Sequence, residues 1–214
     1  AATSDLADAV MKHDATALRA SIQKKADVNV PQADGTTALL WAVRYDDLET
    51  ADLLIHAGAR VSAPNRDGAT PLQLAALNGS AAMIEKLIKA GADPNASLTS
   101  SGDTALMMAA RTGKTGAVNV LIESGANVNA KESWGGTTAL MWAVSERHPD
   151  AVRVLLEHGA DVHARANFVA AANGRGFEGR TPTGSDSGLK VEEFASGWLT
   201  PLMFAAREGD LASA

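Results

Sequence analysis

The chain has 214 residues, of which 46% are hydrophobic, 21% charged and 4% aromatic, with 19 basic against 25 acidic side chains and no cysteine. That apolar content disfavours a disordered chain, and a net charge of −6 argues against a dedicated nucleic-acid binder. The lack of cysteine excludes disulfides, thiolate metal sites and cysteine catalysis, and no uncharged apolar stretch approaches the roughly 20 residues of a membrane span.

One short pattern, Thr-(Ala/Pro)-Leu-x-x-Ala, recurs along the chain, and repeats decide architecture before any other signal. Its threonines are Thr37, Thr70, Thr104, Thr138 and Thr200, separated by steps of 33, 34, 34 and 62 residues. A Gly-Ala pair follows each of the first four by 21 residues, at Gly58, Gly91, Gly125 and Gly159. Residues 4–30 read as a degenerate copy. There Leu6, Ala9, Val10, Leu18 and Ile22 keep an apolar face, while Asp8, Arg19, Ser21 and Lys25 polarise the rest. Such a unit suits the end of an array, with one side in water.

In each later copy the threonine stands where a helix needs an N-cap, because its hydroxyl can accept an orphan backbone N–H. Pro71 and Pro201 follow at the first helical position, where a missing N–H costs nothing. A helix of about two turns is expected to end at Gly79, Gly113 or Gly209, since a left-handed cap favours glycine. Asp46 and Arg147 hold that slot in two copies, so those two turns are expected to differ. A second helix then carries Leu53-Leu54-Ile55, Ile84-Leu87-Ile88, Val118-Leu121-Ile122 and Val152-Leu155-Leu156 at helical spacing. Extended fingers come next, with Asp34-Gly35 and Asp67-Gly68 as tight-turn tips, and neighbouring fingers are expected to pair as β-hairpins. Trp41, Leu74, Met108, Trp142 and Phe204 fall at one repeat position and are expected in the core between units.

With period 33 and a Thr-Pro-Leu-x-x-Ala core, the unit resembles the ankyrin repeat over residues 4–165 and 197–214. The signature histidine of that family is missing throughout, replaced by Leu40, Gln73, Met107, Met141 and Met203. The resemblance implies a mainly α repeat solenoid of about six helix-turn-helix units with hairpin fingers. Residues 1–33 form a capping unit in this division. Full units span about 34–66, 67–101, 102–135 and 136–165, a long hairpin or loop insertion spans 166–197, and an incomplete unit spans 198–214. No single unit can bury its apolar face, so neighbours must stack.

The insertion accounts for the last step exceeding 34 by 28 residues. It is rich in glycine and serine, with Phe168, Phe177 and Phe194 as anchors, and loops this long are commonly functional. Gly174-Arg175-Gly176-Phe177-Glu178-Gly179 matches a dinucleotide fingerprint, but Thr181-Pro182-Thr183-Gly184 follows where the required helix would open. The densest cluster of metal-ligating types is Glu157, His158, Asp161 and His163, which straddles a helix end and a turn. No zinc, Walker or nucleophile-elbow motif occurs, and neither Asp46-Asp47 nor Glu192-Glu193 has the separation that glycoside hydrolysis needs. No catalytic residue, cofactor or metal is therefore expected.

The resemblance implies recognition of a protein or peptide on the concave face of finger tips and first-helix ends. The positions that match that face are Asp34, Thr36, Arg44, Tyr45, Arg66, Asp67, Leu77, Asn78, Ser101, Asp103, Arg111, Thr112, Trp134, Thr137, Ser145, Glu146, Arg207 and Glu208. Tyr45 and Trp134 are aromatic where water is expected, and interface anchors are enriched in Tyr, Trp and Arg. Arg44, Arg111 and Arg207 recur at one position and suit carboxylates, unless each is paired with Asp46, Glu146 or Glu208. Other readings are a targeting arm of a larger enzyme, catalysis through the insertion, and self-association through the last unit. That unit breaks off at Ala214 within its second helix, so more repeats or another domain are expected beyond it. A start at Ala1 suits a trimmed chain or a mature end after signal cleavage. Family members of this style in bacteria often look secreted, so the resemblance implies an extracytoplasmic location, in a bacterial periplasm or secreted.

Overall fold

Thr37, Thr70, Thr104 and Thr138 each cap a short helix, their hydroxyls accepting the N–H groups of Leu40, Gln73, Met107 and Met141. In the computed structural model, which describes residues 5–97, 101–167 and 198–202, these helices are α3 (Ala38–Arg44), α5 (Pro71–Asn78), α7 (Ala105–Arg111) and α9 (Ala139–Ser145). The capping unit supplies α1 (Asp5–Met11) and α2 (Ala15–Gln23). The second helices of the later units are α4 (Leu48–His56), α6 (Ala81–Lys89), α8 (Thr115–Glu123) and α10 (Pro149–Glu157). Both helices of each unit pack on one another, and the first helices line up in the order α1, α3, α5, α7, α9. The second helices α4, α6, α8 and α10 form the other layer, so the molecule is a helical repeat stack.

Repeat spacing explains why this stack has a continuous core. Leu39, Leu72, Leu106 and Leu140 are buried at one position of the first helices. Ala42, Ala75, Ala109 and Ala143 are fully enclosed at another, where a small side chain lets neighbouring helices approach closely. Leu54, Leu87, Leu121 and Leu155 do the same for the second layer, each without exposed surface. Truncating such a leucine to alanine costs about 2–5 kcal/mol, against about 1 kcal/mol for losing a threonine cap. Burial between units therefore dominates, and the caps set where each helix begins.

The missing signature histidine is replaced in two ways. Leu40, Met107 and Met141 are simply buried as apolar filling. Gln73 instead completes a capping box with Thr70, and its Nε2 also donates to the carbonyl of Asp103 in the next unit at 3.0 Å.

The turns between first and second helices correct one expectation. Asp46 and Arg147 adopt left-handed backbone at φ 54° and 60°, as His13 does at 56°, in the slot that Gly79 and Gly113 fill elsewhere. All five turns therefore share one conformation. Packing of the two helices fixes the turn, and the residue tolerates it, at about 1–2 kcal/mol for a side chain with Cβ. Lys25 does the same at φ 55°, where Gly58, Gly91, Gly125 and Gly159 end the later second helices.

Beyond those glycines, asparagines clasp one unit to the next. Asn29 Nδ2 donates to the Gly58 carbonyl at 3.0 Å, and its Oδ1 accepts the Arg60 N–H at 2.7 Å. Asn95 holds Gly125 and Asn127 in the same way, and Asn129 holds Gly159 and Asp161. The equivalent residue in the second unit is Ser62, too short for this reach. At that junction Lys86 pairs with Asp52 across α6 and α4 at 2.5 Å. Hydrogen bonding from Lys86 holds the Asp52 carboxyl below the usual range.

The fingers also differ from expectation. Around Asp34-Gly35 and Asp67-Gly68 the chain makes turns without strands, and the tips are joined by a single bond from the Arg66 N–H to the Asp34 carbonyl at 3.1 Å. The tip at Ser133 likewise donates its N–H to the Ser101 carbonyl. Among the described residues the one strand pair is β1 (Ala166–Asn167) with β2 (Trp198–Leu199), antiparallel, with Ala166 opposite Leu199 and Asn167 opposite Trp198. Phe168, Phe177, Phe194, the glycine motif at 174–179, Phe204, Arg207, Glu208 and Gly209 lie outside the described residues. No described helix is long and apolar enough to cross a membrane.

Left-handed strain separates cleanly from side-chain loss at two positions. A Cβ at Gly91 would meet nothing within 4 Å, so Gly91→Ala is expected to cost about 1–2 kcal/mol by backbone strain alone. Lys25→Gly is expected to gain about 0.5–1 kcal/mol in urea unfolding, since strain is relieved against a modest entropy cost. In the clasps, Asn95→Ala should lower stability and Ser62→Asn should raise it, each by about 1 kcal/mol. A silent Asn95→Ala would show that the clasps add nothing.

Candidate functional site

The surface rank of the first helices begins with the row Trp41, Leu74, Met108 and Trp142. Each packs against the core along one edge and keeps the other partly exposed. These side chains therefore line a face as well as fill the junctions, which refines their placement as core. Exposed residues at the helix ends border them: Arg44 and Tyr45 on the second unit, Leu77 and Asn78 on the third, Arg111 on the fourth, Glu146 on the fifth.

The second unit concentrates aromatic surface. The Arg44 guanidinium lies over the Trp41 ring at 5.3 Å. Tyr45 stacks on the same tryptophan at 5.5 Å and 23°, and the His13 ring meets Tyr45 at 4.4 Å, tilted by 42°. The Tyr45 hydroxyl donates to the Met11 carbonyl at 3.4 Å. Trp41 is held from the finger side, where its Nε1 donates to Gln32 Oε1 at 2.7 Å and Gln32 Nε2 donates to Asp8 at 2.6 Å. Tyr45 stays 40% exposed, and Leu77, on α5 of the following unit, is 46% exposed. This is a rigid aromatic patch whose orientation is set before any partner arrives.

Arg44 and Arg111 share a repeat position but not an environment. Arg111 reaches into the next unit, over the Trp142 ring at 4.9 Å and towards Glu146, with Nε–Oε1 at 3.7 Å. Among the described residues no carboxylate lies within salt-bridge distance of Arg44. The residue equivalent to Glu146 in its next unit is Asn78, whose Nδ2 donates to the carbonyls of Val43 and Arg44 at 2.9 and 3.4 Å. The expected pairing thus holds for Arg111 and fails for Arg44.

Along the fingers, Asp34, Arg66 and Asp67 are exposed and Thr36 is half-buried. Hydrogen bonds from the Thr36 N–H and hydroxyl hold the Asp34 carboxyl below the usual carboxylate range, with Arg66 adding to the effect. Ser101 donates to the half-buried Asp103 at 2.5 Å. Thr112 turns inward, its hydroxyl donating to the carbonyls of Met108 and Ala109, and Ser145 is half-buried. Thr137, expected on the exposed face, is 7% exposed and belongs to the base of its finger.

Sequence reasoning missed what holds that last finger. Glu132 is buried, and its carboxylate accepts the N–H groups of Trp134 at 2.6 Å, Gly135 at 2.6 Å and Thr137 at 2.9 Å. This finger is one residue longer than those at Gln32 and Asn65, and the carboxylate fills the extra turn. Step length was the available signal, since the steps from Thr70 to Thr104 and from Thr104 to Thr138 are both 34, one more than the 33 from Thr37 to Thr70. The turn mounts Trp134 outward, 68% exposed. Trp134 and Tyr45 lie on separate units with no contact between them, so they form two anchors rather than one. The cluster at Glu157 to His163 does not converge: the His158 ring bonds the Val154 carbonyl, and Asp161 accepts the His163 N–H. Among the described residues no three His, Asp or Glu side chains are placed to hold a metal.

A family model described as ankyrin repeats, in three copies, matches residues 6–98 and 91–166, well over half of the chain. The match runs from α1 to the start of β1, where the period breaks. No curated protein matches the chain.

Removing the Glu132 carboxylate strands three N–H groups, that of Thr137 buried and those of Trp134 and Gly135 partly buried. Glu132→Ala is expected to lower stability by about 2 kcal/mol and to change the emission of Trp134, which a Trp134→Phe comparison isolates. Unchanged stability and emission would show that the finger holds its shape without the carboxylate.

Proposed function

Because this chain belongs to the ankyrin-repeat family, whose members are generally protein–protein interaction modules and typically non-catalytic, we propose that it binds a protein or peptide on the face of its first helices. The observation that carries this reading is the patch of Trp41, Arg44, Tyr45 and Leu77. It combines exposed apolar surface with side chains already fixed by Gln32, Met11 and ring stacking. Aromatic and arginine side chains in such settings carry most of the energy at interfaces. Fixed side chains lose little rotamer entropy on binding, so more of the contact energy appears as affinity.

Arg111, Thr112 and Asp103 contribute shape to this face and are tied to their own scaffold. Trp134 favours a second contact point at the finger tips, since so exposed an indole is unusual on a turn held by a buried carboxylate.

A displayed library of random peptides selected on the intact chain tests the reading. Selected peptides are expected to lose binding by about 30-fold or more on a Tyr45→Ala/Leu77→Ser variant, the size of a typical hot-spot loss. Binding that survives this variant and fails on Trp134→Ala would move the site to the finger. Survival on both would remove the first-helix face from the account.

A further inference from the structure

The molecule contains its own comparison for Arg44. Arg111 occupies the same repeat position two units later, and its surroundings are complete: an aromatic face from Trp142 and a carboxylate from Glu146, both on the neighbouring unit. Arg44 has the aromatic face, supplied by its own Trp41, but the place of Glu146 is taken by Asn78. The Asn78 amide is directed at backbone carbonyls and offers the guanidinium no charge. Stacked on an indole, the Arg44 guanidinium gives up water on one face and keeps its donor edge for a planar acceptor. On α5 of the next unit, Leu74 is partly exposed and Leu77 exposed, which leaves apolar surface on that helix too.

We propose that Arg44 receives a carboxylate from the partner, in the role that Glu146 plays for Arg111, and that a large apolar side chain next to that carboxylate covers Leu77 and Tyr45. This rests on the first-helix face being the binding face. The occupant is a peptide segment carrying Asp or Glu beside Leu, Ile, Met or an aromatic residue. Charge complementarity selects it, because among the described residues Arg111 is already matched within the chain and Arg44 is not. The chain's own residues make a neutral apolar segment a poorer fit, since it would cover an exposed guanidinium without replacing its water.

Sequencing the peptides selected from the random library gives the first readout: enrichment of Asp or Glu adjacent to a large apolar residue. Synthetic copies of the enriched peptides give the second. Arg44→Gln, which removes the charge at an exposed position and leaves the fold intact, is expected to weaken them by about tenfold or more, and added salt to weaken them further. Asn78→Glu places a carboxylate where Arg44 can take it from within and is expected to block the same peptides, while Asn78→Gln is not. Thermal melts of each variant separate blocked binding from lost fold. Peptides without acidic enrichment, or binding within twofold of wild type on Arg44→Gln, would overturn the proposal. If those peptides still failed on Tyr45→Ala/Leu77→Ser, the face would stand and only the carboxylate would fall. If they bound that variant too, both readings would fall.

Discussion

Everything in this structure depends on a helix pair that cannot cover its own apolar side. Leu39, Ala42 and Val43 of α3 are completely enclosed only because α1 lies on one side and α5 on the other. The same holds for α5, between α3 and α7, and for α7, between α5 and α9. Core truncations of this kind cost several times what a cap or a single turn contributes. That ranking explains why Asp46, Arg147, His13 and Lys25 accept left-handed backbone that they would avoid in isolation. The stack imposes one turn geometry, and local preference yields to it.

With the apolar layers fixed, polar chemistry is free to vary from junction to junction. Asparagine clasps join three of the junctions, while an ion pair between Lys86 and Asp52 stands beside the junction where Ser62 breaks the series. Gln73 bridges to Asp103 where the family would place a histidine. Lys114 and His148 give up the N-cap role that Asp14, Asp47 and Ser80 perform, and lie over the turn of the preceding unit instead. Arg111 belongs to this group of connectors. Arg44, at the same repeat position, does not, and that difference separates scaffold from candidate binding surface.

Much of this was legible in the chain. Threonine and Gly-Ala landmarks located the helix starts and stops, because caps and left-handed turns have strong residue preferences. The turns at Asp46 and Arg147 were not, because a rule based on the local residue cannot see helices packing around it. Fingers looked like hairpins since Asp-Gly is a hairpin signal, yet among the described residues two neighbouring pairs are tied by one backbone bond each, Arg66 to Asp34 and Ser133 to Ser101, rather than by a ladder. Thr137 is buried because Glu132, five residues earlier, gathers the finger around its carboxylate. Which arginine is paired depends on residues one unit away, Glu146 or Asn78, and so on register between units rather than on spacing within one. Of the candidate patch, Tyr45, Arg44 and Leu77 were visible as exposed positions, while Gln32, Asp8 and His13, which position it, were not.

The claim that neighbours make each unit stable is tested most directly by circular dichroism on pieces of the array. A peptide of residues 102–135 alone should be unfolded, a two-unit piece 67–135 weakly helical, and a four-unit piece 34–165 helical with a sharp urea transition. Each added unit should move the midpoint upward, because each adds a junction. A single unit that is helical and unfolds cooperatively by itself, or a midpoint that does not move with unit number, would contradict the account.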